Sequence, residues 1–316
     1  MTRFIVKRIL AIIPILFVAS ILIFLLVRTT AADPITSLIG TRKISIESRQ
    51  ALISEFHLDK PLREQYFIWI GGMLRGKFPD SFKYQQPISD LLAKRLPTTL
   101  QLVAMSFLYA FLFSIGIGIL CAVKKHSMID RALSAFLVLC ASTPSFLLAI
   151  MLILVFSLTL KWFPSFGVGE NFVDNLHYLA MPSIALGTGM LSLMGRITRS
   201  HMIGELQADY ARTEVAKGTP YWRIVIHHCL KSALIPIITI GGMELGGMIV
   251  GAVMVENVFA LGGVGDLLVE GIKTSDYPMV QCIVILLITL FLLINLIVDI
   301  LYTLLDPRIK VERSGT

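Results

Sequence analysis

Residues 277–298 read YPMVQCIVILLITLFLLINLIV and carry no charged side chain. A helix that crosses a bilayer needs about 20 mostly apolar residues, so this stretch is long enough to span one. Four other stretches are also uncharged, 9–27, 96–123, 132–160 and 176–195, and a fifth, 232–255, has one charge, Glu244. The pattern predicts an all-α integral membrane protein with six transmembrane helices.

The composition agrees with a membrane protein. Only 16% of the 316 residues are charged and the mean hydropathy is +0.78, whereas a soluble domain has roughly 25% charged residues. A disordered, collagen-like or nucleic-acid-binding chain is therefore excluded, and a soluble α/β enzyme is disfavoured. The four cysteines show no CxxC spacing, so we expect neither a structural disulfide nor a zinc site.

Lysine and arginine residues set the predicted orientation, because they accumulate in cytoplasmic segments. They place both termini in the cytoplasm. The first apolar run could be a signal peptide, but it is long for one and lacks a convincing cleavage site, so we expect an uncleaved N-terminal anchor helix over 1–30. The remaining predicted segments are an extracytoplasmic region over 31–96 with short helices, a core over 97–305 and a cytoplasmic tail over 306–316. Helical spacing predicts the short helices at 46–56 and 61–74, which could form a lid on the bilayer or a docking surface.

The segment 196–233 is the large cytoplasmic loop of this topology. Residues 205–217 (ELQADYARTEVAK) are good helix formers, and Gly218 suits the left-handed position that closes a helix. We expect Thr219 to cap a second helix over 220–231, with Pro220 at its first position. This helix–glycine–helix elbow could be a simple connector or a rigid knob that fits a groove on a soluble partner.

Glu244 is the single acidic residue well inside a predicted span. Charges at that depth are costly and usually face a cavity or a partner. Small residues allow close helix approach around it, at Gly242, Gly246, Gly247 and Gly251. We therefore predict either a pore-lining role or a helix interface, with an internal pair or a protonated acid as the alternative. We find no catalytic or metal-binding motif.

The elbow resembles a known family pattern. Residues 209–218 (DYARTEVAKG), followed by Leu234-Ile235-Pro236, resemble the "EAA" coupling loop in the dipeptide/oligopeptide/nickel family of ABC importer permeases. Other blocks resemble the same family in order along the chain: 58–61 (LDKP), 97–100 (PTTL), 196–200 (RITRS), 276–278 (DYP) and 295–309 (NLIVDILYTLLDPRI).

This resemblance implies a type I ABC importer permease fold and a transport subunit rather than an enzyme. Its implied partners are membrane lipid, a second homologous permease in a heterodimer, two cytoplasmic ATPases and an extracytoplasmic substrate-binding protein. ATP and magnesium would bind to the ATPases, and this chain would bind no cofactor, metal or nucleic acid. The implied location is the bacterial cytoplasmic (inner) membrane. The residues implied in coupling are Asp209, Tyr210, Arg212, Thr213, Ala216, Lys217, Gly218, Thr219 and Pro220.

The sequence leaves the substrate open. The chain departs from the family pattern at Glu214, where alanine is usual, and in the segments 76–81 and 259–265. The breadth of the family favours dipeptides and oligopeptides. A nickel or metal-chelate complex and a glutathione-like solute are the alternatives. A more remote one is a proton-coupled secondary carrier that uses Glu244, although we see no internal repeat to support it.

Overall fold

The computed structural model describes residues 2–30, 47, 50, 53, 54 and 59–305. The predicted helix over 46–56 lies outside these residues except at four positions, and the predicted tail over 306–316 lies outside them entirely. Ten helices occupy the described ranges: α1 (Thr2–Thr30), α2 (Leu62–Leu74), α3 (Ile88–Val123), α4 (Met128–Ser142), α5 (Ser145–Thr159), α6 (Phe172–Gln207), α7 (Asp209–Ala216), α8 (Tyr221–Phe259), α9 (Val264–Lys273) and α10 (Tyr277–Leu305).

Five of these helices are long and apolar enough to cross a membrane, namely α1, α3, α6, α8 and α10. The pair α4 and α5 provides a sixth crossing if the two helices are counted as one span. Each of the six helical segments overlaps one of the apolar stretches of the sequence. The prediction of an all-α membrane protein is therefore confirmed.

The third predicted span, 132–160, is not one straight helix. The chain bends by 105° between α4 and α5, and Thr143 has extended backbone angles (φ −97°, ψ 118°) just before Pro144. A proline lacks a backbone N–H and disfavours helical geometry at the preceding residue. The apolar run concealed this break because hydropathy does not respond to one proline.

The described residues of the first compact unit are 100–261 and 291–305. Its central helix is α6, whose apolar window is 72% buried. Helix α6 packs against α4, α5 and α8. Gly187 permits one close approach, since a Cβ there would lie 2.8 Å from the carbonyl oxygen of Ser106.

An ion pair fixes the start of α4 to α6 within this unit. Arg199 donates to both carboxylate oxygens of Asp130, at 2.7 Å from Nε and 2.8 Å from Nη2. The same carboxylate accepts the backbone N–H of His126 at 3.0 Å. Ser127 caps α4 by accepting from the N–H of Asp130. Asp130 is only 3% exposed, so this cluster joins the turn before α4 to a distant helix.

The second compact unit is formed by the described residues within 2–99 and 262–290. Ser20 of α1 forms a 2.7 Å hydrogen bond with the hydroxyl of Tyr66 on α2. That ring also lies edge-on to Phe24, with centroids 5.5 Å apart. Helix α2 confirms the predicted short helix over 61–74.

Asp276 joins the turn around Ser81 to the start of α10 in the second unit. Its buried carboxylate accepts the Ser81 hydroxyl at 2.5 Å, the Lys83 N–H at 3.1 Å and the Met279 N–H at 3.2 Å. Nearby, Glu270 pairs with the Lys83 ammonium and accepts the Tyr84 hydroxyl at 2.7 Å. Burial alone would raise the pKa of Glu270, but the bonds from Lys83 and Tyr84 outweigh it and hold the pKa low.

We expect the Asp276→Ala substitution to release this turn. Three donors would lose their acceptor, and a buried donor left unsatisfied costs about 1–3 kcal/mol. Trypsin cleavage after Lys83 should become roughly tenfold faster or more in the purified protein, because local opening exposes the bond. Asp80→Ala is the matched control, since Asp80 lies in the same segment with an exposed side chain. Equal cleavage rates in the two variants would contradict this prediction.

Candidate functional site

The elbow predicted from the sequence is a compact helical turn. Helix α7 ends at Ala216, and Gly218 adopts a positive φ of +80°. The N–H of Gly218 donates to the Val215 carbonyl at 3.0 Å and the N–H of Thr219 donates to the Glu214 carbonyl at 3.1 Å. This pair of bonds is a Schellman motif. The left-handed position predicted for Gly218 is confirmed.

The side chain of Glu214 holds the two sides of the turn together. It accepts the Thr219 hydroxyl at 2.8 Å and the Lys217 ammonium at 2.8 Å. The bond from Lys217, followed by the bond from Thr219, lowers the pKa of the Glu214 carboxyl. In the sequence, Glu214 stands out only as a departure from the family pattern, whereas in the structure it braces the elbow.

Two details of the predicted elbow are wrong. Thr219 does not cap the second helix, because its hydroxyl bonds to Glu214, and the N-cap is Pro220 before a helix that begins at Tyr221. The first helix does not run continuously from Glu205 either. Helix α6 ends at Gln207, Ala208 is extended, and α7 begins at Asp209, where an acidic side chain stabilises a new helix N-terminus.

Tyr210 spans the break between α6 and α7. Its hydroxyl donates to the Glu205 carboxylate at 2.5 Å. Partial burial and this bond raise the pKa of Tyr210. The elbow is therefore anchored to the end of α6 as well as to the start of α8, which limits its freedom to swing.

The outer surface of the elbow is exposed and partly apolar. Asp209 and Arg212 lie in solvent and form only a long ion pair of 3.8 Å. Thr213 bonds back to the Asp209 carbonyl at 2.9 Å. Most of the other predicted coupling positions are also exposed, namely Ala216, Lys217, Gly218 and Pro220.

Three large side chains on this surface were not among the predicted site residues. Val215, Tyr221 and Trp222 are 58%, 52% and 59% exposed. Their signal in the sequence was the placement of apolar residues next to the predicted glycine turn, where no buried face is available. Together with the predicted exposed positions they form a surface that we call the elbow tip.

The residues predicted around Glu244 divide between two environments of α8. Gly242 and Gly246 face α10, where a Cβ would lie 2.4 Å from Val298 and 3.1 Å from Asn295 respectively. Glu244, Gly247 and Gly251 instead line a cavity of about 260 Å³ in the first unit. The five positions therefore lie on two faces of α8, one packed on α10 and one at the cavity, and a pore-lining role stays a prediction. No group of three or more metal-binding side chains occurs among the described residues.

The chain matches a known family of membrane transport proteins. Residues 114–311 match the model of the "Binding-protein-dependent transport system inner membrane component" family, and residues 1–103 match the model of its N-terminal part. The chain belongs to this family. It is the membrane permease subunit of an ABC importer, and ATP hydrolysis lies in separate subunits.

Relatives match this permease over nearly its whole length. The oligopeptide transport system permease protein AppB of Bacillus subtilis (strain 168) is 36% identical over 98% of this chain and 100% of its own. The glutathione transport system permease protein GsiC of Escherichia coli (strain K12) is 35% identical, over 98% and 99%. The di/tripeptide transport system permease protein DppB of Pseudomonas aeruginosa (strain UCBPP-PA14) is 33% identical, over 99% and 100%.

A solved structure supports the fold. A chain of the MetNI methionine ABC transporter, in an inward-facing conformation, matches the permease with a TM-score of 0.58 and 19% identity. The match covers 70% of this chain and 99% of that chain. At this identity the likeness concerns the fold alone, and it agrees with the expected type I ABC importer permease fold.

Proposed function

We propose that this permease moves dipeptides and oligopeptides across the bacterial cytoplasmic membrane. Two of the relatives reported above carry peptide transport in their names, and they match this chain from end to end. The glutathione permease supports a second candidate substrate, a glutathione-like solute. A nickel or metal-chelate complex is the remaining alternative.

The elbow tip is the proposed contact with the ATPases. The observation that carries this proposal is a stiff turn with exposed apolar side chains at its end. Rigid bracing by Glu214 and anchoring through Tyr210 suit an element that transmits force. Motion of the ATPases would reach α6 and α8 through residues 205–231. Such coupling requires that the ATPases bind the elbow differently in two states of the pore.

The proposed assembly contains a second homologous permease, two cytoplasmic ATPases and an extracytoplasmic binding protein. Magnesium and ATP would bind to the ATPases. In this arrangement 1–30 is the anchor, 31–96 lies outside, 97–305 forms the core and 306–316 is a cytoplasmic tail. ATP binding would turn the pore outward to accept substrate, and hydrolysis would reset it.

Substrate-stimulated ATP hydrolysis tests the proposed substrate. The permease is reconstituted in liposomes with the second permease, the ATPases and the binding protein encoded beside it. The binding protein is supplied with a peptide mixture, with glutathione or with nickel–histidine. We expect peptides to stimulate hydrolysis. Stimulation by glutathione alone, or by nickel–histidine alone, would identify that solute as the substrate in place of peptides.

A further inference from the structure

The Glu244 cavity lies where three helical elements of the first unit meet. One wall comes from the break between α4 and α5, including Thr143 and Ser145, and the others come from α6 and α8. The 105° bend turns α5 away from the axis of α4. This break opens the space between the helices. Gly247 leaves the α8 wall open, because a Cβ built there would meet no atom within 4 Å.

Among the described residues that line this cavity, Glu244 is the one carboxylic acid and none is basic. Within the described part of the chain, Glu244 has no ion-pair or hydrogen-bond partner. The Thr143 hydroxyl is engaged with the Leu139 carbonyl at 2.9 Å. Acids inside a membrane protein normally pair or mark a substrate pathway, because an isolated charge there is costly. The cavity therefore offers a carboxylate to a cation that the described residues do not supply.

We propose that Glu244 binds a primary ammonium group of the transported peptide. This inference rests on the proposed peptide function and adds the chemical group that the permease recognises. A protonated amino terminus is compact and strongly hydrated, so a half-buried carboxylate beside neutral walls selects it by charge. The other described residues of the cavity wall are neutral. We therefore expect little selection for the side chain of the peptide residue that carries the ammonium group. The lysine side chain carries the same ammonium chemistry as the terminus.

Peptide uptake by proteoliposomes can distinguish the selectivity of the permease from the selectivity of the binding protein. Three peptides are compared: trialanine, N-acetyl-trialanine, and N-acetyl-Ala-Lys-Ala. Loading of the binding protein is measured for each peptide, and rates are expressed per loaded binding protein. The preference for trialanine over N-acetyl-trialanine is then compared between the wild type and Glu244→Gln. Any selection by the binding protein is common to both and cancels.

We expect Glu244→Gln to reduce this preference roughly tenfold or more, since hydrogen bonds to charged groups are among the stronger ones. The fall should come from slower trialanine uptake, with N-acetyl-trialanine unaffected. Glu244→Asp keeps the carboxylate and should retain most of the preference. Glu170→Gln removes an exposed acid of the same unit and should change nothing. Loss of N-acetyl-Ala-Lys-Ala uptake as well would extend the recognition to the lysine ammonium.

An unchanged preference in Glu244→Gln would overturn the inference while peptide transport by the wild type stood. An equal loss of all three peptides would also overturn it, because it would indicate that Glu244 pairs with a basic group of the second permease. Failure of the wild type to take up any peptide, in a complex that hydrolyses ATP, would instead remove the proposed peptide function and this inference with it.

Discussion

Transport by the Gly218→Leu permease is expected to lose its coupling to ATP hydrolysis. Gly218 has a φ of +80°, a left-handed conformation that costs a residue with a Cβ roughly 1–2 kcal/mol. The turn would relax away from the Schellman geometry, and the elbow tip would no longer be presented as one rigid surface. We expect peptide uptake per ATP hydrolysed to fall roughly tenfold, while the variant still inserts and assembles.

A series of substitutions at Gly218 distinguishes conformation from volume. No atom lies within 4 Å of a Cβ built at this position, so alanine should impair coupling about as much as leucine. Asparagine, which tolerates the left-handed region, should impair it least. Gly204→Leu is the matched control, because Gly204 also has open space around it but lies within α6. Normal coupling in Gly218→Leu would show that the turn does not transmit the motion.

The sequence predicts the membrane helices well because their signal is long. An uncharged run of about 20 residues has few alternative structures, since every backbone polar group in lipid must be bonded within its own segment. The same signal is insensitive to local geometry. Pro144 lies in the apolar run 132–160, and its effect on Thr143 becomes visible only as the bend in the structure.

The sequence predicts the turn of the elbow but not the side-chain bonds that hold the turn closed. A glycine that ends a run of helix formers indicates a left-handed residue, so Gly218 could be assigned from local sequence. The bonds that Glu214 makes to Lys217 and Thr219 depend on the closed turn itself. Likewise Glu244 is identified as a lone acid in an apolar span, but its cavity depends on how α4, α5 and α6 pack around it.

Side-chain pairing across the chain is the part that sequence reasoning could not reach. Asp130 and Arg199 are separated by 69 residues. In the sequence, Arg199 is one of the basic residues of the loop 196–233 and part of the family block 196–200. Its bidentate bond to Asp130 gives it a second role, which is to hold the turn before α4 against α6.

Asp130→Ala is expected to be strongly destabilising. Removing Asp130 leaves the Arg199 guanidinium without its partner, and because that side chain is 30% exposed the cost is about 1–3 kcal/mol. It also removes the acceptor of the His126 N–H. We expect the thermal unfolding midpoint of the assembled complex to fall by roughly 5 °C or more in detergent. Glu170→Ala, at an exposed acid of the same unit, should leave the midpoint unchanged.

The double variant Asp130→Ala/Arg199→Ala identifies the source of that loss. If the uncompensated arginine is responsible, removing it as well should recover part of the stability, with a coupling energy of about 1–3 kcal/mol between the sites. The recovery should be incomplete, because the His126 N–H still lacks its acceptor. Strictly additive shifts in the unfolding midpoint would mean that the two side chains stabilise α4 and α6 independently, contrary to their bidentate contact.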